Sequence, residues 1–384
     1  LSAAGGGRGN LVGIILSSPI SRFTKRFPAD RILPMLNPRK FLKNRTVLVT
    51  GGAGFIGSHL CDHLMNYGAR VVCFDDLSTG SKNYVDSQRG NKKFFFIKGD
   101  VNKFADIKKP FAKFKIDYVF HYAALVGVQR TIEEPLKVLA DLDGIRYILD
   151  LSHKNKVKKL AFASSSEVYG NQEQMPLHEE ESYLDIRMPY AMVKSAGENY
   201  FRTYWEMMGL PVTILRFFNV YGPRQESSRY GFVVGVFISQ VLRDRQPTIF
   251  YDGKQTRDFM YIDDNVEAAI QSLLNKKTDG ETINLGTGRE TTILELAQKI
   301  IALSGKKLAP SLLHKRNLVE IKRRVAHNDK MINLLGYKPR VSLEDGLRLT
   351  HDWYAQNPQF VKDREHSSYS SYRKQNWIPK TKLV

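Results

Sequence analysis

The chain has 384 residues, of which 42% are hydrophobic and 25% are charged, and these values exclude a fibrous or largely disordered protein. The length favours one large domain with a smaller second one attached to it. The formal net charge of +19 fits nucleic acid, an anionic lipid surface or an acidic small molecule as partner, but no zinc-finger, helix-turn-helix or RNA-binding signature accompanies it, which argues against nucleic acid.

Residues 1–43 are predicted to be a basic N-terminal arm. The arm holds a single acid, Asp30, together with a glycine run and scattered serines. Such a composition is typical of organellar transit segments, and a chain that lacks an initiating Met fits a processed product, so the mitochondrial matrix is favoured over the cytoplasm. The alternative is a disordered arm. The apolar stretch 11–20 is too short for a membrane-spanning helix, and no transmembrane span is predicted.

From Thr46 onward, short β-branched runs alternate with amphipathic stretches, which is typical of βαβ units. Strands are predicted over residues 46–50, 70–75, 94–98, 118–121, 159–163 and 212–217. This order predicts an α/β protein with a Rossmann doubly wound parallel sheet, in an NAD-binding domain that spans residues 44–222.

The first predicted strand runs into a glycine turn and then into a helix-like stretch. Gly51 permits the tight turn, Gly54 lets the backbone approach a pyrophosphate, and Gly57 allows close packing of helix on strand. Free amides at the start of the helix, where Phe55 and Ile56 lie, would face the phosphates. An ordinary flexible turn is the alternative, but the strand and helix on either side favour a dinucleotide site made by these five residues.

Asp75 ends the second predicted strand, where an acid accepts hydrogen bonds from the adenosine ribose hydroxyls. A carboxylate there repels a 2′-phosphate, and the next residue is the acid Asp76 rather than an arginine. NAD is therefore predicted over NADP. A surface turn over residues 75–78 would explain the residue types but not their position.

The two cysteines, Cys61 and Cys73, fall in a predicted helix and a predicted strand. This placement supports neither a disulfide framework nor a zinc site. We expect both to be core thiols, and no metal site is predicted.

After Gly222 the alternation loosens, and helices are predicted over residues 232–242, 266–274 and 292–303. We expect residues 223–354 to form mainly a smaller substrate-binding lobe, interleaved with the first domain and lying over the carboxyl edge of the sheet. Residues 355–384 are polar with scattered aromatic side chains, which predicts an extended C-terminal tail.

Tyr190 and Lys194 share one face of a helix predicted over residues 189–207. A neighbouring ammonium favours the phenolate, so Lys194 is expected to lower the Tyr190 pKa toward neutral pH, where the tyrosine can act as a general base. The alternative is a core tyrosine beside a surface lysine.

Together these residues resemble the extended short-chain dehydrogenases, specifically the nucleotide-sugar epimerase, dehydratase and decarboxylase group. The resemblance covers residues 46–354. Beside the glycine turn it rests on motifs in the order of that family: Gly99-Asp100-Val101, His121-Tyr122-Ala123-Ala124, Ser164-Ser165-Ser166-Glu167-Val168-Tyr169-Gly170, Tyr190 with Lys194, Arg216-Phe217-Phe218-Asn219-Val220-Tyr221-Gly222-Pro223-Arg224, and Gln255-Thr256-Arg257-Asp258-Phe259.

The resemblance implies roles for the catalytic residues. Tyr190 and Lys194 would be the catalytic pair, and Ser165 would bind the reacting sugar hydroxyl beside the tyrosine. Glu167 resembles the acid of the dehydratase and decarboxylase subgroups, although it could equally be a hydrogen-bonding acid at a strand end. One departure stands out: Asp141 occupies the position where the family usually has an Asn.

The resemblance also implies binding residues. Asp100 and Val101 would contact adenine, Ala123 would lie along the cofactor, and Lys194 would hold the nicotinamide ribose. Two phosphates call for arginine donors, because guanidinium groups recognise them with charge and geometry together. The implied substrate-binding residues are Asn219, Arg257, and Arg323 or Arg324.

Two functions remain open. The first is an NAD-dependent enzyme that oxidises C4 of a nucleotide sugar to a ketone, with epimerisation favoured over dehydration and decarboxylation. The second is an accessory, nucleotide-binding subunit of a mitochondrial assembly such as respiratory complex I, for which the basic arm and the tail argue. A homodimer or a subunit of a larger assembly is expected.

Overall fold

The computed structural model of the protein describes residues 33–362, apart from residues 89, 187, 229 and 314–320. The described residues belong to one compact unit. Most of the predicted basic arm, with its apolar stretch 11–20, and most of the predicted tail lie outside them. The targeting role, the mitochondrial location and the oligomeric state stay predictions.

The chain alternates strands and helices through its first half and becomes more irregular afterwards. The strands are β1 (Thr46–Thr50), β2 (Arg70–Asp75), β3 (Phe94–Lys98), β4 (Tyr118–His121), β5 (Lys159–Ser165), β6 (Val212–Phe217), β7 (Asn219–Tyr221), β8 (Thr248–Phe250), β9 (Thr256–Arg257), β10 (Phe259–Tyr261), β11 (Thr282–Leu285), β12 (Thr291–Thr292) and β13 (Ser311–Leu313). The helices are α1 (Pro38–Leu42), α2 (Phe55–Asn66), α3 (Phe104–Lys113), α4 (Val128–Glu133), α5 (Pro135–Lys154), α6 (Pro189–Met208), α7 (Val233–Leu242), α8 (Ile262–Leu274), α9 (Ile293–Ser304), α10 (Asp329–Leu335) and α11 (Leu343–Gln356).

A parallel sheet of seven strands forms the centre, in the order β11-β6-β5-β4-β1-β2-β3. Each residue of β1 is buried, as expected for strands that are covered by helices on both faces. The order reverses between β1 and β4, and a crevice opens at such a switch point, outside the carboxyl ends of the strands. The predicted doubly wound Rossmann sheet is confirmed.

Alternate residues of β1 face two hydrophobic cores. Val47 and Val49 belong to a core that includes residues of α2 and α8, whereas Leu48 belongs to a second core with residues of α3, α5 and α6. The period of two residues follows from the pleat of the strand. Helices therefore pack on both faces of the sheet, and the carboxyl ends of its strands are held in fixed positions.

Two features of the sheet differ from the sequence-based prediction. β5 ends at Ser165 rather than at residue 163, because Ser164 and Ser165 pair with Arg216 and Phe217 of β6. β11 was not predicted at all. It adds to the outer side of β6, although its residues lie in the segment assigned mainly to the smaller lobe.

The region beyond β6, which includes the segment predicted to form the smaller lobe, contains three two-stranded sheets, β7 with β10, β8 with β13, and β9 with β12. Buried Asp258 joins its segments, because its carboxylate accepts hydrogen bonds from the backbone N–H groups of Thr287, Gly288 and Ala326 at 2.8, 2.9 and 3.2 Å. Burial raises the pKa of Asp258 and these hydrogen bonds lower it.

The predicted tail begins inside α11, which continues to Gln356. Beyond it the Ser227 hydroxyl donates to the Phe360 carbonyl at 2.7 Å, and the Phe360 ring stacks on Trp353 with ring centroids 5.2 Å apart. Residues 357–362 therefore pack on the lobe. No helix in the part of the chain that the structure describes is long and apolar enough to cross a bilayer.

Candidate active site

A cavity of about 750 Å³ lies at the carboxyl edge of the sheet, over the crevice where the strand order reverses. This volume is in the usual range for small-molecule sites. It brings together most of the predicted site residues: Gly51, Gly54, Phe55, Ile56, Gly57, Asp75, Asp100, Val101, Ala123, Ser165, Glu167, Tyr190, Lys194 and Asn219. Arg257, Arg323 and Arg324 are not among the residues that line it.

The glycine turn forms one wall of the cavity and has no room for side chains. Gly51 has a φ of +69°, and a Cβ atom there would lie 2.8 Å from the backbone nitrogen of Ala123. A Cβ atom at Gly57 would lie 2.1 Å from the Gly51 carbonyl oxygen. Gly54 caps α2, whose first N–H groups point toward the turn without intrahelical partners. The wall fits the pyrophosphate of a dinucleotide.

Asp75 stands at the end of β2 and holds the glycine turn in place. Its carboxylate accepts hydrogen bonds from the backbone N–H groups of Ala53 at 3.0 Å and Leu77 at 2.7 Å. Burial raises the pKa of Asp75, and these two hydrogen bonds lower it. Each carboxylate oxygen keeps a further lone pair, so the side chain can also accept from a ribose hydroxyl in the cavity.

We expect Asp75→Ala to weaken NAD binding by about ten-fold or more, because hydrogen bonds to charged groups contribute about 1.5–3 kcal/mol. NADP binding should change little or improve, because the substitution also removes the repulsion of the 2′-phosphate. Titration calorimetry measures the ratio of the NAD and NADP affinities. Asp86→Ala is the control, because Asp86 is an exposed acid outside the cavity. An unchanged affinity ratio in Asp75→Ala would show that Asp75 does not bind the ribose hydroxyls.

The catalytic candidates meet where β5 ends and α6 begins. The Ser165 hydroxyl accepts a hydrogen bond from the Glu167 backbone N–H at 3.1 Å and lies close enough to the Tyr190 hydroxyl to lower the pKa of that phenol. One helical turn beyond Tyr190, the Lys194 ammonium donates to the Ala163 carbonyl at 2.7 Å and lies 5.7 Å from the centre of the tyrosine ring. A serine, a tyrosine and a lysine therefore surround one point of the cavity.

The electrostatics differ from the expectation that Lys194 lowers the Tyr190 pKa. Burial raises the pKa of Tyr190 above its ordinary value, the carboxylates of Glu167 and Asp141 raise it further, and the Ser165 hydrogen bond lowers it. Burial also lowers the pKa of Lys194 to about 8. The expectation is wrong for this structure, because burial disfavours a phenolate more than the ammonium one turn away favours it. Tyr190 is thus a neutral phenol at neutral pH.

Glu167 lies at the edge of the cavity and is held there by Arg324. A guanidinium nitrogen of Arg324 contacts the Glu167 carboxylate, and another donates to the Gly170 carbonyl at 3.0 Å. The Arg324 side chain is 3% exposed and that of Glu167 is 38% exposed. The carboxylate therefore faces the cavity, whereas Arg324 is buried behind it and does not line the cavity.

The remaining predicted substrate residues lie at different depths. The Asn219 side chain donates to the Asp258 carbonyl at 3.3 Å and lines the cavity. Arg257 donates to the carbonyls of Thr256 and Ile321 at 2.7 and 2.9 Å. Arg323 forms a salt bridge with Glu290 and lines a second cavity of about 320 Å³. The structure thus brings Asn219, but not these arginines, to the main cavity.

Arg130 of α4 lines the cavity although no motif indicated it. Its guanidinium contacts the Glu226 carboxylate at 3.1 Å, donates to the Val126 carbonyl at 2.9 Å, and lies 4.6 Å from the centre of the Tyr230 ring. The only signal in the sequence was a basic residue between β4 and α5, at the carboxyl edge of the sheet. Its partners are distant in the chain, so the sequence could not place it.

Neither cysteine contributes to this site. Cys61 of α2 and Cys73 of β2 are buried free thiols, as predicted. Within residues 33–362, as far as they are described, no cluster of His, Cys, Asp and Glu side chains could hold a metal ion.

A glycine cradle at the start of α2, an acid at the end of β2 and a serine, a tyrosine and a lysine around the same cavity define a Rossmann-fold enzyme that uses a dinucleotide. Residues 47–286 match the model of the NAD dependent epimerase/dehydratase family. The chain belongs to that family. It is an enzyme, and its cofactor is NAD.

Similar proteins support this assignment over nearly their whole length. A UDP-N-acetyl-alpha-D-glucosaminuronate decarboxylase of Bacillus cytotoxicus is 37% identical over 319 residues, which are 80% of this chain and 97% of the relative. The UDP-glucose 4-epimerase of Thermotoga maritima, solved with UDP-glucose, superposes with a TM-score of 0.77 at 32% identity and covers 82% of this chain and 99% of that one.

The UDP-glucose 4-epimerase of Thermus thermophilus, solved in complex with NAD, has a TM-score of 0.74 and 32% identity over 81% of this chain and 99% of that one. All three proteins are named as enzymes that act on nucleotide sugars. The alternative of an accessory subunit of a respiratory assembly finds no support in these comparisons.

Proposed function

We propose that the protein oxidises a nucleoside-diphosphate sugar at C4 and converts the resulting 4-keto sugar to an isomer. The observation that carries this proposal is that Ser165, Tyr190 and Lys194 line the same cavity as the glycine cradle. A hydroxyl-bearing substrate and a dinucleotide can therefore share the cavity.

NAD, held by the glycine turn, Asp75 and Lys194, supplies a hydride acceptor when bound. Burial keeps Tyr190 protonated at rest, so the phenol first releases its own proton to solvent, and the Lys194 ammonium stabilises the phenolate that remains. The phenolate then takes the proton of the sugar hydroxyl, and Ser165 donates a hydrogen bond that orients that hydroxyl.

Epimerisation is the favoured outcome, which would make the enzyme an isomerase. A second outcome, elimination or loss of a carboxylate by a lyase, is favoured by one observation: the partly exposed carboxylate of Glu167 faces the cavity and is backed by Arg324. A carboxyl group near a 4-keto sugar can move a proton to or from the neighbouring carbon. The decarboxylase relative with 37% identity also fits this outcome.

A panel of sugar nucleotides separates these outcomes. The protein is incubated with NAD and with UDP, GDP and deoxythymidine-diphosphate sugars, including UDP-glucuronate, and the products are followed by NMR. We expect an isomer of one UDP sugar. Release of carbon dioxide identifies a decarboxylase, and a dehydrated keto sugar identifies a dehydratase.

The matched control for the panel is the Tyr190→Phe protein, which keeps the cavity but lacks the proton-transferring oxygen. We expect this control to show at most residual conversion, and conversion at the rate of the unmodified protein would show that Tyr190 does not transfer the proton. If NAD binds while none of the panel reacts, the proposed function is wrong.

A further inference from the structure

Asp141 is a buried carboxylate of α5 that lines the cavity. One of its oxygens accepts from the backbone N–H of Leu125 at 2.9 Å, and the other accepts from the Asn102 side-chain amide at 3.0 Å. Leu125 follows β4 and Asn102 follows β3. Asp141 therefore joins two segments of the cavity wall.

Asp141 differs from the other carboxylates near the catalytic pair because none of the described cations touches it. Glu198 of α6 pairs with Arg216, Glu167 beyond β5 pairs with Arg324, and Asp100 beyond β3 lies 3.5 Å from the Lys103 ammonium. These three charges are largely compensated by a direct partner. The charge of Asp141 is held only by two neutral donors, so its field extends into the cavity.

Asp141 lines the same cavity as both members of the catalytic pair, so its field acts on both. Asp141 favours the protonated Lys194 more than any other carboxylate does, and it disfavours the Tyr190 phenolate. His121 of β4 adds no charge at working pH, because burial, with a smaller effect of Lys194, lowers the pKa of its imidazole to about 3. Burial likewise raises the pKa of Asp141, while its two hydrogen bonds and Lys194 lower it.

We propose that Asp141 is a positioning residue whose negative charge moves the pH range in which Tyr190 and Lys194 work to higher pH. The proposal rests on the proposed function for its rate measurement, but not for its binding and titration measurements. One carboxylate acts on both groups in the same direction, because it makes the lysine keep its proton and the tyrosine keep its proton up to higher pH.

Asp141→Asn removes the charge with little change in shape. Its side-chain oxygen still accepts from the Leu125 backbone N–H, and its amide nitrogen then faces Asn102. The Oδ1 atom of Asn102 is buried and has no hydrogen-bond partner in this structure, so rotation of the Asn102 amide provides an acceptor for that nitrogen. The hydrogen bonds that join the two wall segments are thereby preserved.

The sign of the expected change follows from the charge. Without the carboxylate, Tyr190 and Lys194 both lose their protons at lower pH, so the two limbs of the rate profile that they set move down together. We expect both limbs of the kcat/KM profile of Asp141→Asn to move to lower pH by about one unit.

Two further measurements do not need turnover. The pH at which NADH fluorescence titrations show loss of binding should fall by a similar amount, because Lys194 is one of the proposed cofactor ligands. In the cofactor-free protein, NMR of lysine labelled at Cε should show the Lys194 resonance, assigned with Lys194→Met, titrating at lower pH in Asp141→Asn.

Asp143→Asn is the matched control, because Asp143 lies on the same helix but is exposed and paired with Arg146. We expect its profiles to equal those of the unmodified protein. If Asp141→Asn lowers the rate equally at every pH, or leaves the lysine titration in place, the charge has no such role and the proposal is overturned. Absence of turnover in the unmodified protein would instead count against the proposed function, while the NADH and lysine titrations still decide the role of Asp141.

Discussion

Tyr190→Phe should lower turnover by about 10²–10⁴-fold, the range that a positioned general acid or base contributes. The ring remains packed against its neighbours in the second hydrophobic core, so the cavity keeps its shape. Only the oxygen that takes the proton is lost, and the Ser165 hydroxyl is too weak a base to replace it. NAD affinity should stay within a factor of about two, because a mutation confined to proton transfer acts on kcat.

Steady-state kinetics on the substrate found by the panel, together with NAD titration of the same preparation, measure both quantities. Tyr200→Phe is the control, since Tyr200 lies on the same helix with its side chain exposed. Its rate should equal that of the unmodified enzyme. A Tyr190→Phe enzyme that retains full activity would exclude Tyr190 as the proton acceptor.

Arg216→Met should lower the free energy of unfolding by about 3–5 kcal/mol, because it leaves the Glu198 carboxylate buried without its partner. The guanidinium of Arg216 contacts both oxygens of Glu198 at 2.8 and 2.7 Å and donates to the Tyr169 hydroxyl at 2.8 Å. The two side chains of the ion pair are 3% and 2% exposed. The Ser164 hydroxyl donates to the same carboxylate at 2.5 Å, so the loss would also reach the strand that carries Ser165.

Urea unfolding followed by circular dichroism gives the free energy. The double substitution Arg216→Met with Glu198→Leu should recover most of the loss, because replacing both buried charges by apolar groups is often nearly neutral. Arg146→Met, which breaks an exposed pair with Asp143, should leave the transition unchanged. An Arg216→Met protein as stable as the unmodified one would show that water or a rearranged partner compensates Glu198.

The sequence was sufficient for those parts of the molecule that depend on local pattern. β1 and β2 have the predicted bounds because their β-branched runs end at glycine or acidic turns. The spacing of Tyr190 and Lys194 placed both on one face of α6 at the cavity. β11 escaped prediction because Thr and Asn alternate with the apolar residues of a four-residue run, and its pairing with β6 decides its structure.

The sequence could not show which side chains contact each other or how deeply they are buried. Arg324 and Glu167 are 157 residues apart in the chain, and Arg323 and Glu290 are 33 apart, so the roles of these arginines depend on tertiary contacts. The net shift of the Tyr190 pKa was predicted with the wrong sign for the same reason, because burial raises that pKa. The spacing of two residues along a helix can be determined from a sequence, but the desolvation of a buried phenolate cannot.

Because β11 pairs with β6, cutting the chain between these two strands would leave the sheet incomplete. A fragment that ends at residue 222, the predicted limit of the NAD-binding domain, would contain β6 but not the strand that covers it. The fully buried strand Val212–Phe217 would then present unpaired backbone groups and apolar side chains at the open side of the sheet. Such an edge recruits other chains, so aggregation rather than a working half-enzyme is the natural fate of that fragment. During synthesis the sheet likewise stays incomplete until Leu285 has emerged, so residues 44–222 cannot complete it alone.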